Sequence, residues 1–362
     1  MIKKGISVVQ QSVSLSVTGG TITEFKSLQC SALTQELCFI PMILTDFRRG
    51  INLHDILFYY RFLKKQEYNI VHVRGAGPDG LNCILAAKLA GKGKILVTVH
   101  GMYSDLVYIS SLKRWISANI IEKMSFRLAD GISCVCEATD KRPVFNKYRK
   151  KMLPYVYNRM PHYNLLTHPQ KRLAVRKRLG IEEGEIVALF MGRITKEKGL
   201  HILVQALGKL EPRFFDRLTV IIAGCGEYLK DLQSECRAYG DKIMFSGEVH
   251  NAEDYYAAAD FFLFPSLHEN HSIALLEAVA AHLPVICTDC GGNPEIIKDG
   301  VTGIVIPAYD SDSLVDAIIR MLDDDKRQCF RNAIASYDFS SFSDEAVNER
   351  LKVVYRQLLN DD

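Results

Sequence analysis

Residues 265–277 read Pro-Ser-Leu-His-Glu-Asn-His-Ser-Ile-Ala-Leu-Leu-Glu, and they follow the apolar run Phe261–Phe264. A short aromatic and aliphatic run of this kind predicts a buried strand. Ser272 is a good N-cap residue ahead of apolar positions that continue to Ala281, which predicts a helix. A strand, a turn and a helix in this order are typical of open α/β sheets, in which ligands bind at the carboxyl ends of the strands. The turn before Ser272 is therefore predicted to lie at a binding edge.

Two carboxylates belong to this stretch. Glu277 lies inside the apolar helix, where an ionised side chain is costly unless another group hydrogen-bonds to it. Glu269 lies just ahead of the helix, where the helix dipole favours negative charge. Sugar hydroxyls need acceptors of this kind, and phosphates need the free backbone N–H groups at a helix start. The stretch thus offers groups for a ligand with both hydroxyls and phosphates.

The rest of the chain alternates short apolar runs with longer helical patterns, as βαβ units in parallel sheets do. In the first half, we predict strands at Ile6–Val9, Ile70–Val73, Ile95–Val99 and Gly131–Val135, and helices at Asn82–Lys88 and Ser111–Leu128. In the second half, we predict strands at Ile186–Met191, Leu218–Ala223, Lys242–Phe245, Phe261–Phe264, Val285–Cys287 and Gly303–Val305.

This order predicts an α/β protein with two doubly wound, Rossmann-like parallel-sheet domains that face each other across a cleft. The stretch Tyr157–Gly184 lacks strand character and is the predicted interdomain connection. The predicted domains cover residues 1–160 and 161–342. An amphipathic stretch within residues 343–362 predicts a C-terminal helix that packs back across the domains.

Two loops of the second half follow predicted strands and carry features that suit a diphosphate. Arg193 and Lys198 lie in a loop bounded by Gly192 and Gly199. The planar guanidinium fork of Arg193 and the point charge of the Lys198 ammonium group both suit phosphate oxygens. Gly224 begins a Gly-x-Gly turn that allows close approach of the backbone to a ligand. A solvated basic loop and an ordinary turn are the alternative interpretations.

Two features of the first half could face the cleft. His100 lies at the carboxyl end of a predicted strand, where a neutral imidazole can hydrogen-bond a sugar hydroxyl; a structural role is the alternative. Thr18-Gly19-Gly20 either forms a small anion-binding nest or a simple turn.

Composition excludes several classes of protein. The ten cysteines are scattered, mostly among apolar neighbours, which indicates reduced thiols in a cytosolic protein. Cys287 and Cys290 form a lone CxxC without a flanking His, so a zinc or redox site is not expected there. The apolar run near the N-terminus ends at Gln10, before it reaches the length of a signal-peptide core. The sequence has no run of about 18 apolar residues, so no membrane-spanning helix is predicted.

Charge is divided unevenly along the chain. Residues 1–160 contain 23 Lys and Arg against 11 Asp and Glu, whereas residues 161–362 contain 22 against 31. Either the first half meets an anionic partner or the two halves attract each other. The segment Ser110–Arg127 joins four cations to apolar residues that include the single Trp115, which suits either a membrane-surface helix or a helix packed on its own sheet. No nucleic-acid-binding motif accompanies the charge.

The second half resembles the retaining GT-B glycosyltransferases of family 4. Four elements carry the resemblance in order: the loop Gly192–Gly199, the turn Ala223–Gly226, the segment Phe245–Val249, and the Glu-x7-Glu block that runs on through Gly291 and Gly292 to Gly303. The family often has Gly-Phe-Gly after the first Glu, whereas this chain has Asn270-His271-Ser272. The departure bears on the identity of the sugar.

The resemblance implies roles for particular residues. Arg193 and Lys198 would bind the donor diphosphate, Glu277 the ribose hydroxyls, and Glu269 the donor sugar near the reacting centre. The remaining donor-site residues implied are Gly19, Gly20, Gly224, Val249, Asn270, His271, Ser272 and Ile273. His100 corresponds to the family's histidine near the donor sugar, and Asn158 to the asparagine that closes the first domain.

The resemblance thus predicts a retaining transferase that moves a hexose or N-acetylhexosamine from a nucleotide diphosphate sugar to a glycan or lipid-linked acceptor. Cell-surface polysaccharide or lipopolysaccharide biosynthesis is the expected setting. No cofactor and no metal are expected, and the expected location is the cytoplasm, with the basic first half at the inner face of the cell membrane. A nucleotide-sugar epimerase of similar build and a non-catalytic nucleotide-sugar-binding protein are the alternatives.

Overall fold

The computed structural model describes residues 5–13, 20–106, 108–182 and 184–360 of the chain. It divides the chain into two compact units. The first comprises Met1–Arg159 together with Ser340–Asp362, and the second comprises Met160–Phe339. Residues 340–342 therefore group with the first unit, although the sequence analysis assigned them to the second domain.

The first unit is built on a five-stranded parallel sheet with the strand order β2-β1-β3-β4-β5. Its strands are β1 Ser7–Val13, β2 Cys38–Leu44, β3 Ile70–Arg74, β4 Lys94–Val99 and β5 Gly131–Cys134. Its first six helices are α1 Gly20–Cys30, α2 Leu53–Lys65, α3 Pro78–Ala90, α4 Ser111–Ile116, α5 Glu122–Leu128 and α6 Glu137–Asp140. Helix α3 packs against both α2 and α5.

The four strands predicted for this half are confirmed, and β2 was missed. β2 pairs only with β1, so it is an edge strand, and it contains Pro41. Proline removes a backbone donor and is tolerated at a sheet edge, but it obscures the strand pattern in the sequence. The predicted helix Ser111–Leu128 is interrupted by a π-helical segment at Ser117–Ile121, where the Asn119 side chain donates a hydrogen bond of 3.0 Å to the Trp115 carbonyl.

The second unit is built on a six-stranded parallel sheet with the order β11-β10-β9-β6-β7-β8. Its strands are β6 Ile186–Met191, β7 Leu218–Ala223, β8 Ile243–Gly247, β9 Phe261–Phe264, β10 Val285–Thr288 and β11 Gly303–Ile306. Its helices are α7 His168–Leu179, α8 Leu200–Lys209, α9 Pro212–Phe215, α10 Leu229–Glu235, α11 Ala252–Ala258, α12 Ile273–Ala280, α13 Asn293–Ile296, α14 Ser311–Met321 and α15 Asp324–Ser336. All six predicted strands are confirmed.

The predicted connection Tyr157–Gly184 contains helix α7, which the sequence analysis did not predict. Arg172 and Arg176 of α7 both form ion pairs with Asp260, and Arg176 also donates a hydrogen bond to the Ala258 carbonyl. The helix is therefore attached largely through guanidinium groups rather than through an apolar stripe, and hydrophobic periodicity cannot reveal such a helix.

The last helix, α16 at Asp344–Asn360, is part of the first unit. Its Val354, Tyr355 and Leu358 are buried in a cluster with Val8 of β1 and Leu96 of β4. A segment from the far end of the sequence thus completes the core of the N-terminal sheet.

Candidate functional site

The residues predicted to form the donor site in the second half lie beyond the carboxyl ends of neighbouring strands. Gly192–Gly199 follows β6, Gly224 follows β7, Val249 lies two residues beyond β8, and the turn with Glu269 follows β9. Strands β9, β6, β7 and β8 are consecutive in the sheet. The sheet order therefore gathers four loops that are far apart in sequence at one edge.

Lys198 and Glu269 form an ion pair between two of these loops. Glu269 also accepts a hydrogen bond of 2.8 Å from Ser266 Oγ. The Lys198 ammonium lies 5.3 Å from the centre of the Phe264 ring, which adds a cation–π contact. Both side chains are largely buried, so water and salt weaken the attraction between the two charges only slightly.

Two glycines let these loops approach each other through their backbones. A Cβ atom on Gly199 would lie 1.9 Å from the Pro265 carbonyl oxygen, and one on Gly291 would lie 2.0 Å from the Glu269 carbonyl oxygen. Both glycines have positive φ, of 70° and 54°. Any side chain at either position would displace the turn that carries Glu269.

Arg193, a second basic residue of this loop, has an exposed side chain that forms no ion pair with any described residue. It is therefore available to a ligand. Gly224 donates a backbone hydrogen bond of 2.7 Å to Gly247, which ties the turn after β7 to the end of β8. Val249 is half-buried beyond that end.

Glu277 lies on α12 and is partly buried. Tyr256 of α11 donates a hydrogen bond of 2.9 Å from its hydroxyl to Glu277 Oε2. Burial raises the pKa of Glu277 to about 7, and the Tyr256 hydrogen bond partly opposes that rise. The expected partner of this carboxylate is therefore a tyrosine that the sequence analysis did not identify.

The turn before α12 is buried. Ser272 is the N-cap of α12, as predicted, and its Oγ accepts a hydrogen bond of 3.4 Å from the Leu275 amide. Asn270 and His271 are buried, and the Asn270 carbonyl accepts a hydrogen bond of 2.6 Å from Gly292. Burial lowers the pKa of His271 to about 3, so its imidazole is neutral at physiological pH. Ile273 is the first residue of α12.

The predicted residues of the first half belong to the other unit. His100 follows β4, and its Nε2 is buried without a hydrogen-bond partner among the described residues. Burial, aided by the charge of Arg74, lowers the pKa of His100 to about 3. Gly20 begins α1, whereas Thr18 and Gly19 lie outside the described residues. Asn158 is buried in the segment that follows β5.

Some residues around these sites were not identified from the sequence. Ser266 holds Glu269 and Tyr256 holds Glu277. The only signal for Ser266 is its position three residues before Glu269, and no sequence pattern joins Tyr256 to Glu277. The cysteines Cys287 and Cys290 are free thiols. Within the described ranges, no three His, Cys, Asp or Glu side chains are grouped as metal ligands, and no helix is long and apolar enough to cross a membrane.

Comparison with known proteins identifies the family. A family model described as "Glycosyl transferases group 1" matches residues 171–336, and one described as "Glycosyltransferase Family 4" matches residues 34–142. The chain belongs to the family 4 glycosyltransferases. One match lies in each unit, so both parallel sheets support the assignment of this glycosyltransferase to the family.

Curated relatives of this glycosyltransferase include two that align over most of its length. The N-acetyl-alpha-D-glucosaminyl L-malate synthase of Bacillus anthracis is 26% identical over 83% of this chain and 77% of the relative. The UDP-Gal:alpha-D-GlcNAc-diphosphoundecaprenol alpha-1,3-galactosyltransferase of Escherichia coli is 24% identical over 79% of this chain and 74% of the relative.

Solved structures show that the glycosyltransferase has the GT-B fold. The Anabaena protein HepE, in complex with UDP and glucose, superposes with a TM-score of 0.75 at 18% identity over 97% of this chain and 100% of that chain. Sucrose-phosphate synthase from Thermosynechococcus elongatus superposes with a TM-score of 0.75 at 17% identity over 99% of this chain and 100% of that chain. The predicted class of fold, two parallel-sheet α/β domains of GT-B type, is confirmed.

Proposed function

We propose that this glycosyltransferase moves a hexose or N-acetylhexosamine from a nucleotide diphosphate sugar to a glycan or lipid-linked acceptor, with retention at the anomeric carbon. Cell-surface polysaccharide or lipopolysaccharide assembly is the proposed setting. The names of its relatives support this class of reaction: one uses UDP-Gal with a diphosphoundecaprenol acceptor, and another is an alpha-monoglucosyldiacylglycerol synthase.

The observation that carries the proposal is the Lys198–Glu269 ion pair at the carboxyl edge of the second sheet. An ammonium group has three N–H donors. One is used by Glu269, which leaves donors for a diphosphate. Because the same carboxylate is held by Ser266, it fixes where the Lys198 charge lies. A cation held in place before the reaction stabilises developing negative charge without reorganisation.

The leaving group of the reaction is a nucleoside diphosphate, which gains negative charge as the glycosidic bond breaks. In the proposed mechanism, Lys198, the exposed Arg193 and the free amides at the start of α12 neutralise that charge, and no metal is required. Glu277 accepts hydrogen bonds from the ribose hydroxyls, with Tyr256 as its fixed neighbour.

Retention of the anomeric configuration needs either a carboxylate nucleophile or attack by the acceptor hydroxyl from the same face that the diphosphate leaves. Glu269 already accepts hydrogen bonds from Lys198 and Ser266 through one oxygen, Oε1. Such an engaged carboxylate is better suited to positioning than to nucleophilic attack, because charge pairing lowers its nucleophilicity. We therefore favour front-face attack, in which the departing diphosphate takes the proton of the acceptor hydroxyl.

A ligand screen followed by turnover tests the proposal. Thermal shift against a panel of UDP-, GDP- and ADP-sugars should identify one donor, since a ligand at about 100 times its Kd stabilises by roughly 2.7 kcal/mol. Acceptor-dependent release of nucleoside diphosphate should follow, and the anomeric configuration of the product, read by NMR, should match that of the donor. Isomerised donor without acceptor would instead identify an epimerase, and binding without turnover a non-catalytic protein.

A peripheral membrane position is a further part of the proposal. Leu112, Trp115 and Ile120, around the π-helical segment, are exposed by 68%, 56% and 47%. Lys113 and Arg114 lie beside them, an arrangement suited to an anionic lipid surface. Flotation with vesicles containing phosphatidylglycerol should weaken when Lys113 and Arg114 are changed to Gln, and it should weaken with salt. Equal flotation with neutral vesicles would contradict the electrostatic part, and no flotation would contradict the position itself.

A further inference from the structure

Arg74, the last residue of β3, is a buried cation that no described carboxylate contacts. The residue is 9% exposed, and no carboxylate among the described residues forms an ion pair with it. Its Nη2 donates a hydrogen bond of 3.3 Å to the Gln10 side-chain carbonyl, and its Nε is buried without a partner. A guanidinium has five N–H donors, and one hydrogen bond to a described side chain leaves others for a ligand.

The groups around Arg74 are polar but already engaged. Gln11 accepts a hydrogen bond of 3.1 Å from the Arg74 backbone amide, and the guanidinium lies 5.9 Å from the centre of the Phe25 ring. The nearby carboxylate, Glu24, accepts hydrogen bonds from Arg159 instead. Charge compensation for Arg74 is therefore not supplied at contact distance by the described part of the chain.

A purely structural role does not explain this placement. Beneath Arg74 the neighbouring polar groups are satisfied: His72 contacts the Tyr355 hydroxyl at 2.9 Å and the Thr98 hydroxyl at 2.6 Å, and Gln10 donates to Tyr355 at 2.8 Å. These hydrogen bonds join β1, β3, β4 and α16, and Arg74 adds to them only its one bond to Gln10. Burial lowers the pKa of Arg74, and the more distant charge of Glu24 only partly opposes that shift.

His100 provides a second unused group on the adjacent strand. Arg74 is in register with Thr98 of β4, two residues before His100. The Nε2 of His100 is also buried without a partner, and the Arg74 charge acts on this imidazole. Two unpartnered nitrogen groups thus belong to the carboxyl ends of neighbouring strands, the edge at which α/β sheets bind ligands.

We propose that Arg74 anchors a phosphate or carboxylate group of a substrate at the carboxyl edge of the first sheet. A planar guanidinium fork matches both anions, and burial strengthens the attraction. Two substrates can carry such a group: an anionic acceptor, and the donor through its diphosphate. The inference rests on the proposed function only in that the bound molecule is taken to be a substrate, because anion binding itself can be measured without turnover.

The experiment uses the full chain with Arg193→Ala and Lys198→Ala, so that the predicted donor site does not bind the probe. Inorganic phosphate is titrated while the melting temperature Tm is followed, at constant ionic strength. Phosphate at about five times its Kd should raise Tm by about 3 °C in a unit of this size. Adding Arg74→Gln should abolish that rise.

The paired comparison removes the general stabilising effect of phosphate, which acts through exclusion from the protein surface and is the same in both variants. An equal rise with and without Arg74→Gln would overturn the proposal. Arg74→Lys keeps the charge but not the fork, so its rise should be less than half. If Arg74→Gln does not fold, the Lys variant decides: a rise equal to that of Arg74 would overturn the fork-based site.

A second arm separates the two sources of the anion. In the otherwise unchanged protein, the Arg74-dependent rise is measured again with UDP at saturation. A rise that persists assigns the site to an anionic acceptor, and a rise that disappears assigns it to the donor diphosphate. Neither outcome depends on glycosyl transfer, so this site and the proposed function can fail separately.

Discussion

The Glu277 carboxylate gives a prediction that can be worked through from the structure. Its pKa is raised from 4.5 to about 7 in the folded protein, chiefly by burial. Between these values the folded state holds the proton and the unfolded state releases it. The free energy of unfolding therefore falls as pH rises from about 4.5 to 7, and it is constant above that range as far as Glu277 is concerned.

The size of the effect follows from the shift. About 2.5 pKa units at 1.36 kcal/mol each correspond to a loss on the order of 3 kcal/mol between pH 4.5 and pH 8. Glu277→Gln keeps the shape and an acceptor for Tyr256 but cannot ionise. The variant should therefore be more stable than the natural protein at pH 8, and the difference should shrink towards pH 5.

Urea unfolding of both proteins, without ligand, at half-unit steps from pH 5 to pH 8 measures this difference. Glu211→Gln is the matched control, because Glu211 is an exposed carboxylate of the same unit. The free energy of unfolding of Glu211→Gln should follow the same pH profile as that of the natural protein. Parallel profiles for the natural protein and Glu277→Gln would refute the reasoning, since they would show that Glu277 does not titrate in this range.

The same carboxylate should link nucleotide binding to pH. Ribose hydroxyls donate to the ionised form, so the affinity for the nucleoside diphosphate measured by calorimetry should rise from pH 6 to pH 8. Glu277→Gln should bind more weakly and show a smaller rise, which comes from ionisation of the terminal phosphate at about pH 6. Lys198→Met should lower kcat/KM by about 100-fold or more, as losses of oxyanion stabilisation do, while Lys196→Met in the same loop stays within about threefold. Gly291→Ala should lower the urea-derived stability by more than about 2 kcal/mol, because strain and backbone overlap combine, whereas Gly300→Ala, which meets nothing within 4 Å, should lose only about 1 kcal/mol. Tyr355→Phe should cost about 1–3 kcal/mol in the same assay, since Gln10 and His72 each lose a buried partner; an unchanged midpoint would contradict that account.

Sequence patterns predicted the strands of the second sheet because most of them are buried on both faces and consist largely of apolar residues. Ile186–Met191, Leu218–Ala223 and Phe261–Phe264 agree with the structure residue for residue. The patterns failed where another force attaches the element. β2 is an edge strand with a proline, and α7 is attached by arginines to Asp260.

Candidate ligand-binding residues were predictable where chemistry and local structure coincide. A carboxylate in an apolar helix singled out Glu277, and a strand followed by an N-cap serine singled out the turn with Glu269. Arg74 gave no such signal, because an arginine at a strand end is ordinary in sequence. Its interest comes from its burial without an ion pair to any described carboxylate, which only three-dimensional contacts reveal.

The sequence alone determined that two parallel-sheet units exist and predicted a ligand-binding role for the turn after Phe264, because strand burial, helix capping and glycine turns are local properties of the chain. Only the tertiary structure decided which groups meet. Strand β9 pairs with β6, whose residues lie more than seventy positions earlier, with Ala188 opposite Phe261. That pairing brings Lys198 to Glu269, and the return of α16 to the first sheet brings Tyr355 to His72. Sheet order and helix docking depend on the sum of many distant contacts, so no local pattern contains them.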